Sequence, residues 1–261
     1  MALPLPMDLH KRSMRMALSC RSKVILYSLN AHRMTRADFQ RLIDDKTKPI
    51  GSLGRLESLA VQAAAILGAK TPSNASASLT IFAADHGIAA QRVSAFPQEV
   101  TGQMVANFLA GGAAANVIAA QFDIPVTVVD CGIAHPPRRR DGLIDLSLGG
   151  GTADSSTGPA MSPETARKAI AQGRHFACGI ESKIVCFGEM GIANTSAAAL
   201  LAHKLSGISV AELVGRGTGL DDTALSHKQD VLERAAARTG ALAPIEALAD
   251  LGGFEIGTMA G

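Results

Sequence analysis

Tryptophan is absent from the 261 residues, tyrosine occurs once, and aromatic residues make up only 3% of the chain. Proteins that hold single-stranded nucleic acid stack its bases on aromatic side chains, so this composition argues against nucleic acid as a partner. The four cysteines, Cys20, Cys131, Cys178 and Cys186, are scattered without paired spacing. Neither a disulfide framework nor a zinc site follows from them, and a reducing cytoplasm is the expected location. No apolar run approaches the length a membrane-spanning helix needs, and hydrophobic residues amount to 47%. The expectation is a soluble globular protein with no membrane partner, long enough for one large α/β domain or one domain plus a smaller piece.

Charge of one sign is scarce at the start of the chain. Residues 1–36 hold seven of the 25 Lys and Arg but one of the 23 Asp and Glu, leaving the rest with 18 basic against 22 acidic residues. The overall charge of +2 therefore hides a basic terminus on an acidic body. Val24-Ile25-Leu26-Tyr27 is too short for the apolar region of a signal peptide. Residues 1–34 are expected to be a disordered basic extension, followed by a helical layer over 35–76 and a main domain over 77–261.

In that main domain the organising stretch runs from Lys183 to Ser196. An apolar run short enough for a buried strand ends at Gly188 and Gly191, and Asn194, Thr195 and Ser196 are capping-type residues opening a helix over Ala197–Leu205. The first amides of a helix lack intrahelical partners and its dipole favours negative charge, so strand, glycine loop and helix start together make an anion site. Glu189 sits in that loop. A carboxylate repels phosphate and is aimed at a positive charge or a donor instead.

The other segments fit the same plan. Helices are expected over Ala37–Ile43 and Leu56–Leu67, the second burying Leu56, Leu59, Ala60, Ala63 and Ile66, with Lys46, Lys48 and Arg55 facing water. Ser78–Ala84 reads as a buried strand running into Asp85-His86-Gly87, at the strand end where open α/β sheets bind ligands. His86 beside Asp85 admits a catalytic pair or a structural hydrogen bond. Pro97 suits the first turn of a helix whose stripe is Val100, Met104, Phe108 and Leu109, and Gly111-Gly112 interrupts it in a way that suggests close helix packing. Ile124–Val129 is a further strand, and Ser162-Pro163-Glu164 starts a helix to about Phe176. Val214–Asp222 is a second glycine loop; its glycines do not match G-x-G-x-x-G, so a dinucleotide fingerprint is unsupported, but with Lys228 on the next helix it suits a phosphate.

Six stretches taken together resemble one family: Lys48–Glu57, Ala83–Ala89, Val93–Ala114, Gly188–Thr195, Val214–Leu220 and Leu251–Ile256. The chain is identified as a member of the nicotinate-nucleotide–dimethylbenzimidazole phosphoribosyltransferases, which make the lower-ligand nucleotide of cobalamin. The resemblance implies an α/β fold, a Rossmann-like mostly parallel sheet flanked by helices, a small helical layer from the N-terminal segment, and a homodimer. It implies nicotinate mononucleotide and dimethylbenzimidazole as partners and no cofactor or metal. By family position Glu189 serves the ribose or its cationic character. Gly191, Ile192 and Asn194, with Gly217, Gly219 and Lys228, hold the phosphate, and Ser94, Phe96 and Gln103 line the base pocket. The family's proton acceptor lies in a C-terminal glycine-rich motif that the sequence to Gly261 does not reach. The alternative it leaves is a non-catalytic mononucleotide-binding remnant. Diphosphate-dependent phosphoribosyltransferases are disfavoured, since no paired-acid strand followed by a T-G-G-type loop is present.

Overall fold

The structure, a computed structural model, describes residues 34–68, 76–138 and 141–261. The basic extension expected over 1–34 lies outside the described residues save for Met34, as do Arg139 and Arg140. The chain falls into two compact units, Met1–Ala75 and Ser76–Gly261.

In the first unit, α1 (Arg36–Asp44) opens on a Thr35 capping box in which Thr35 and Asp38 satisfy each other's backbone amides. Its partner α2 (Arg55–Leu67) turns Val61 and Ala64 onto Phe39. The buried face is rotated from the one expected: Leu56, Leu59 and Ile66 are exposed and Ala60 and Ala63 only half-buried, because α1 supplies its apolar contact on the Val61 side. Lys48 also departs from expectation. It does not face water but pairs with the buried Glu57 at 2.8 Å, and this bond leads the causes holding the Glu57 carboxyl below its ordinary range.

The second unit is built on four parallel strands in the order β3-β2-β1-β4. These are β1 (Ala77–Ala84), β2 (Val126–Gly132), β3 (Leu143–Asp145) and β4 (Ile184–Met190). The short β3 carries too few residues for a sequence pattern to mark it. Side chains alternate across the sheet, as strand geometry requires. Ala83 and Val128 face one side, where Val105 of α3 (Val100–Leu109) packs. Phe82, Ala84, Val129 and Cys131 face the other, covered by Ala166 of α5 (Pro163–Ala177), Leu248 of α9 (Pro244–Leu251) and Phe254 of α10 (Phe254–Ala260). Helices on both faces make this the Rossmann-like arrangement expected. β4 is not the buried strand its apolar run predicts. It is an edge strand, and Ile184 and Phe187 are 40% and 56% exposed because only β1 pairs with it.

A third cluster joins α6 (Asn194–Ser206), α7 (Val210–Leu213) and α8 (Asp222–Ala237) through Leu200, Val210, Val231 and Leu232. The stretch Val100–Ala120 is, by length and composition, apolar enough to cross a membrane, contrary to the expectation that no run reaches that length. The chain breaks it into α3 and a second helix, α4 (Ala114–Ala120). The two glycines of the break differ: Gly111 adopts φ +77° in a turn where a Cβ would meet nothing within 4 Å, whereas a Cβ on Gly112 would stand 2.3 Å from Oδ1 of Asn107, a residue of α3 itself. Pro97 lies just before α3 rather than in its first turn, its carbonyl accepting from the Val100 amide.

Where α5 crosses α10 the backbones nearly touch. A Cβ on Gly173 would lie 1.8 Å from the Thr258 carbonyl oxygen and 3.2 Å from Gly261 Cα. Gly173→Ala is therefore expected to lower unfolding stability by about 2–3 kcal/mol through backbone displacement. Gly158→Ala, whose Cβ meets nothing within 4 Å, serves as the control and should change it by less than about 0.5 kcal/mol. Urea unfolding of both variants checks this.

Candidate functional site

The sheet order places β2 on one side of β1 and β4 on the other, so the chain reverses direction across the sheet between β1 and β4. In open α/β sheets ligands bind in the crevice beyond the strand carboxyl ends at such a reversal. Here those ends are Ala84-Asp85-His86 and Glu189-Met190-Gly191, with Phe82 in register with Glu189.

The turn out of β4 is very tight. A Cβ on Gly191 would stand 2.2 Å from the Ala84 carbonyl oxygen, so only glycine lets the two strand ends come this close. The Ile192 amide donates to Thr101 Oγ1 at 3.1 Å. Ala193 then adopts φ +72° as the residue preceding α6, a left-handed conformation that a side chain rarely takes and that clusters at functional sites. The helix starts at Asn194, three residues earlier than expected, and no side chain caps it. Asn194, Thr195 and Ser196 are its first turn. The side chains of Asn194 and Thr195 bond elsewhere, and the buried Ser196 Oγ has no hydrogen-bond partner.

Asn194 donates its amide to Glu189 Oε2. Thr195 Oγ1 accepts from Lys228 Nζ at 2.9 Å, and that ammonium also donates to the Gly215 carbonyl at 3.1 Å. Lys228 is 1% exposed and its described bonds go to a hydroxyl and a carbonyl. Burial pushes its pKa down. A buried cation held by neutral oxygens beside a helix N-terminus is arranged for an incoming anion. Gly217, at φ +54°, completes the cradle: a Cβ there would lie 3.4 Å from Thr195 Oγ1 and 3.6 Å from Lys228 Nζ. Gly219 lies in the same loop at φ +109°, its amide bonded to the Arg216 carbonyl.

Thr195 also lines a cavity of about 340 Å³ whose walls include Glu189, Asn194, Leu201, Glu255 and Met259. Behind Glu255, His86 Nε2 and Glu255 Oε1 lie 2.9 Å apart, both residues fully enclosed. Burial disfavours the imidazolium, but the charge and hydrogen bond of Glu255 outweigh it and raise the His86 pKa. Glu189 is open to solvent on one side. Its carboxyl is nevertheless raised above the ordinary range, first by the packed surroundings, then by the negative charge of Glu255, with His86 opposing. Asp85, fully buried, is raised by burial; its Oδ2 accepts from the Ala134 amide at 2.8 Å.

The structure thus brings Glu189, Gly191, Ile192, Asn194, Gly217 and Lys228 to one junction. Ser94, Phe96 and Gln103 stand apart from that cavity's lining: Phe96 is 48% exposed, Ser94 Oγ accepts from its amide, and Gln103 points outward from α3. Two participants go beyond the residues that sequence reasoning selects. Glu255 lies in a stretch notable only for its family likeness, although a carboxylate amid Gly-Gly-Phe and Ile is a signal of a buried acid. Thr195 looks like a cap and is instead a ligand of Lys228. His86 forms a distant structural bond rather than a pair with its neighbour Asp85. A larger hollow of about 520 Å³ lies near Lys204. That lysine is consumed by the carbonyls of Ala236, Thr239 and Gly240 at the end of α8. Among the described residues no cluster of three or more His, Cys, Asp or Glu could hold a metal ion.

A family described as "Phosphoribosyltransferase" matches residues 30–261. Among curated proteins, a nicotinate-nucleotide–dimethylbenzimidazole phosphoribosyltransferase of Cupriavidus necator is 50% identical over 87% of this chain and 66% of its own length. One of Variovorax paradoxus is 48% identical over 86% of this chain and 65% of its own. The chain thus spans just under two thirds of these two relatives. Among solved structures, CobT from Thermus thermophilus superposes with a TM-score of 0.76 at 40% identity, covering 85% of this chain and 68% of that one.

Two outcomes follow from the charges. Inorganic phosphate at ten times its Kd is expected to stabilise the chain by about 1.4 kcal/mol, raising Tm by roughly 3–5 °C. Lys228→Met should abolish that shift while itself stabilising the free chain by about 1 kcal/mol, since it removes a buried, uncompensated ammonium. Differential scanning calorimetry reads both. For the His86–Glu255 pair, the folded-state histidine pKa lies above its ordinary 6.5, so its contribution is complete below about pH 6.5 and is lost as pH rises through the folded value. Stability should decline there by at most about 1.4 kcal/mol per pH unit. The double variant His86→Gln/Glu255→Gln should lose this slope in urea titrations at several pH values.

Proposed function

The chain belongs to the nicotinate-nucleotide–dimethylbenzimidazole phosphoribosyltransferase family, and on that premise we propose that it transfers the phosphoribosyl group of nicotinate mononucleotide to 5,6-dimethylbenzimidazole. The products are α-ribazole 5′-phosphate and nicotinate, in cobalamin biosynthesis. The observation that carries this reading is Thr195: it touches the buried, uncompensated Lys228 ammonium on one side and lines the cavity of Glu189 on the other. A phosphate grip and a sugar-facing carboxylate share one residue.

The chemistry asks for little more. The bond from the sugar C1′ to the pyridinium nitrogen breaks with its electrons going to nitrogen, which neutralises the ring, so the leaving group needs no protonation. The unprotonated ring nitrogen of dimethylbenzimidazole forms the new bond to C1′, and the proton on the other ring nitrogen passes to solvent. No cofactor enters this balance. Lys228, the Gly217 loop, Gly219 and the turn at Gly191, Ile192 and Asn194 hold the 5′-phosphate, which fixes C1′ for attack. Glu189, oriented by the Asn194 amide, faces the positive charge that develops on the sugar, and stabilising such charge in a partly enclosed site is a large catalytic contribution. Ser94, Phe96 and Gln103 receive the azole, the exposed ring of Phe96 offering it a stacking surface.

The chain works as a cytoplasmic homodimer without nucleic acid or membrane in this reading. The exposed apolar side chains Val117, Ile118 and Phe122, on and just after α4, support a self-association surface.

Incubation with both substrates, followed by chromatography for α-ribazole phosphate, tests the proposal. Product should appear only when both are present. Glu189→Gln is expected to lower the rate about 10²-fold or more with a smaller change in mononucleotide affinity. A chain that binds the mononucleotide and forms no product would confine it to binding.

A further inference from the structure

Glu255 has no part in the reaction as written above, yet it is the most enclosed residue that lines the cavity. The residue is fully buried at the start of α10, and Oε1 is engaged by His86 Nε2 at 2.9 Å. Its other oxygen, Oε2, is buried as well and has no hydrogen-bond partner. A buried acceptor without a donor is costly, and more so when charged. Such an orphan demands a reason, and this one belongs to a residue lining the cavity that contains Glu189 and Thr195.

The reason lies in what surrounds it. The raised pKa of His86 favours the imidazolium, which sets a positive charge against Oε1. Oε2 then offers a strong acceptor, and its complement is a neutral O–H rather than a cation. Thr195 supplies the direction. A ligand whose phosphate sits on Lys228 and Thr195 carries its sugar into the cavity that Thr195 lines.

We propose that Glu255 is a sugar-recognition residue, its Oε2 accepting a hydrogen bond from a ring hydroxyl of a ribose 5-phosphate unit while His86 fixes Oε1. The site thereby selects ribosyl over deoxyribosyl phosphates. A ligand lacking that hydroxyl leaves the carboxylate oxygen unpaired, and polar sites reject analogues on this ground far more strongly than apolar pockets do. His86 acts through Glu255 and is a positioning residue. This inference deepens the phosphoribosyl reading and rests on it, since the phosphate cradle sets where the sugar lies.

Calorimetric titration of the full chain separates the two. The probes are inorganic phosphate, ribose 5-phosphate, 2-deoxyribose 5-phosphate and 3-deoxyribose 5-phosphate. Ribose 5-phosphate should bind at least tenfold more tightly than one of the deoxy sugars. Glu255→Gln puts an amide where the free acceptor was; it should keep phosphate affinity within twofold and abolish the discrimination. A residue that merely held α10 in place would weaken all four probes together. Equal binding of the three sugar phosphates by the wild-type chain overturns the proposal, as does discrimination that survives in Glu255→Gln. Failure of phosphate itself to bind sinks the cradle, a separate result. If Glu255→Gln does not fold, Glu189→Gln decides: discrimination that persists there belongs to Glu255, and its complete loss assigns the preference to Glu189.

Discussion

The turn from β4 into α6 is the constraint on which the site depends. The Ala84 carbonyl oxygen occupies the space a side chain at position 191 would need, and the next amide, Ile192, is tied to Thr101 of α3. Ala193 is forced into the left-handed region as a result. These three residues leave α6 no freedom in where it begins. Thr195 must then stand against Lys228, and Asn194 against Glu189. The strain at Ala193 costs on the order of 1 kcal/mol, and packing of Ala197 and Leu200 into the core offsets it.

Charge is sorted along this junction rather than balanced. At one end a buried ammonium rests on a hydroxyl and a carbonyl, with its own pKa depressed by enclosure. At the other, Glu189 and Asp85 are both pushed above the ordinary carboxyl range by burial, and only His86 is matched by an acid, Glu255. Each end is costly by itself, because an uncompensated buried charge is worth several kcal/mol against folding unless solvent or a partner relieves it. A ligand that is anionic at one end and hydroxylated or positive at the other relieves both. That asymmetry, more than the depth of the cavity, is what the proposed phosphorylated sugar answers.

The sheet is legible in the sequence because the rule linking residues to strands is short-range. Ser78–Ala84 and the run to Phe187 carry mostly apolar residues bounded by glycine and polar turns, and these are the segments that pair as β1 and β4. The helix starting at Ser162-Pro163 carries its own cap and forms as expected. Features decided by partners far along the chain are not legible in this way. Which face of α2 is buried depends on where α1 places Phe39, so periodicity marks Leu56, Leu59 and Ile66 while contact selects Val61 and Ala64. Three capping-type residues at 194–196 suggest a helix boundary, but the glycine turn sets the start before them. A lysine on a helix after a glycine loop is a local pattern, which singles out Lys228; its lack of a counter-ion among the described residues is a tertiary fact.

The same distinction explains why Glu255 carries no signal of its role and why His86 reads two ways. The two are separated by 169 residues and meet at 2.9 Å. A contact of that span forms only after α10 has docked on β1 and β2, since the loop it closes carries an entropic cost that local structure cannot offset. The phosphate cradle is different in kind: Lys228 reaches Thr195 across 33 residues, within the helical cluster of α6 and α8. The anion grip can therefore persist through fluctuations that open α10. The carboxylates proposed to face the sugar, Glu189 and Glu255, line one cavity only when the whole sheet is closed, so on that proposal engagement at the sugar end couples to the global stability of the fold, whereas engagement at the proposed phosphate end couples chiefly to one helical layer.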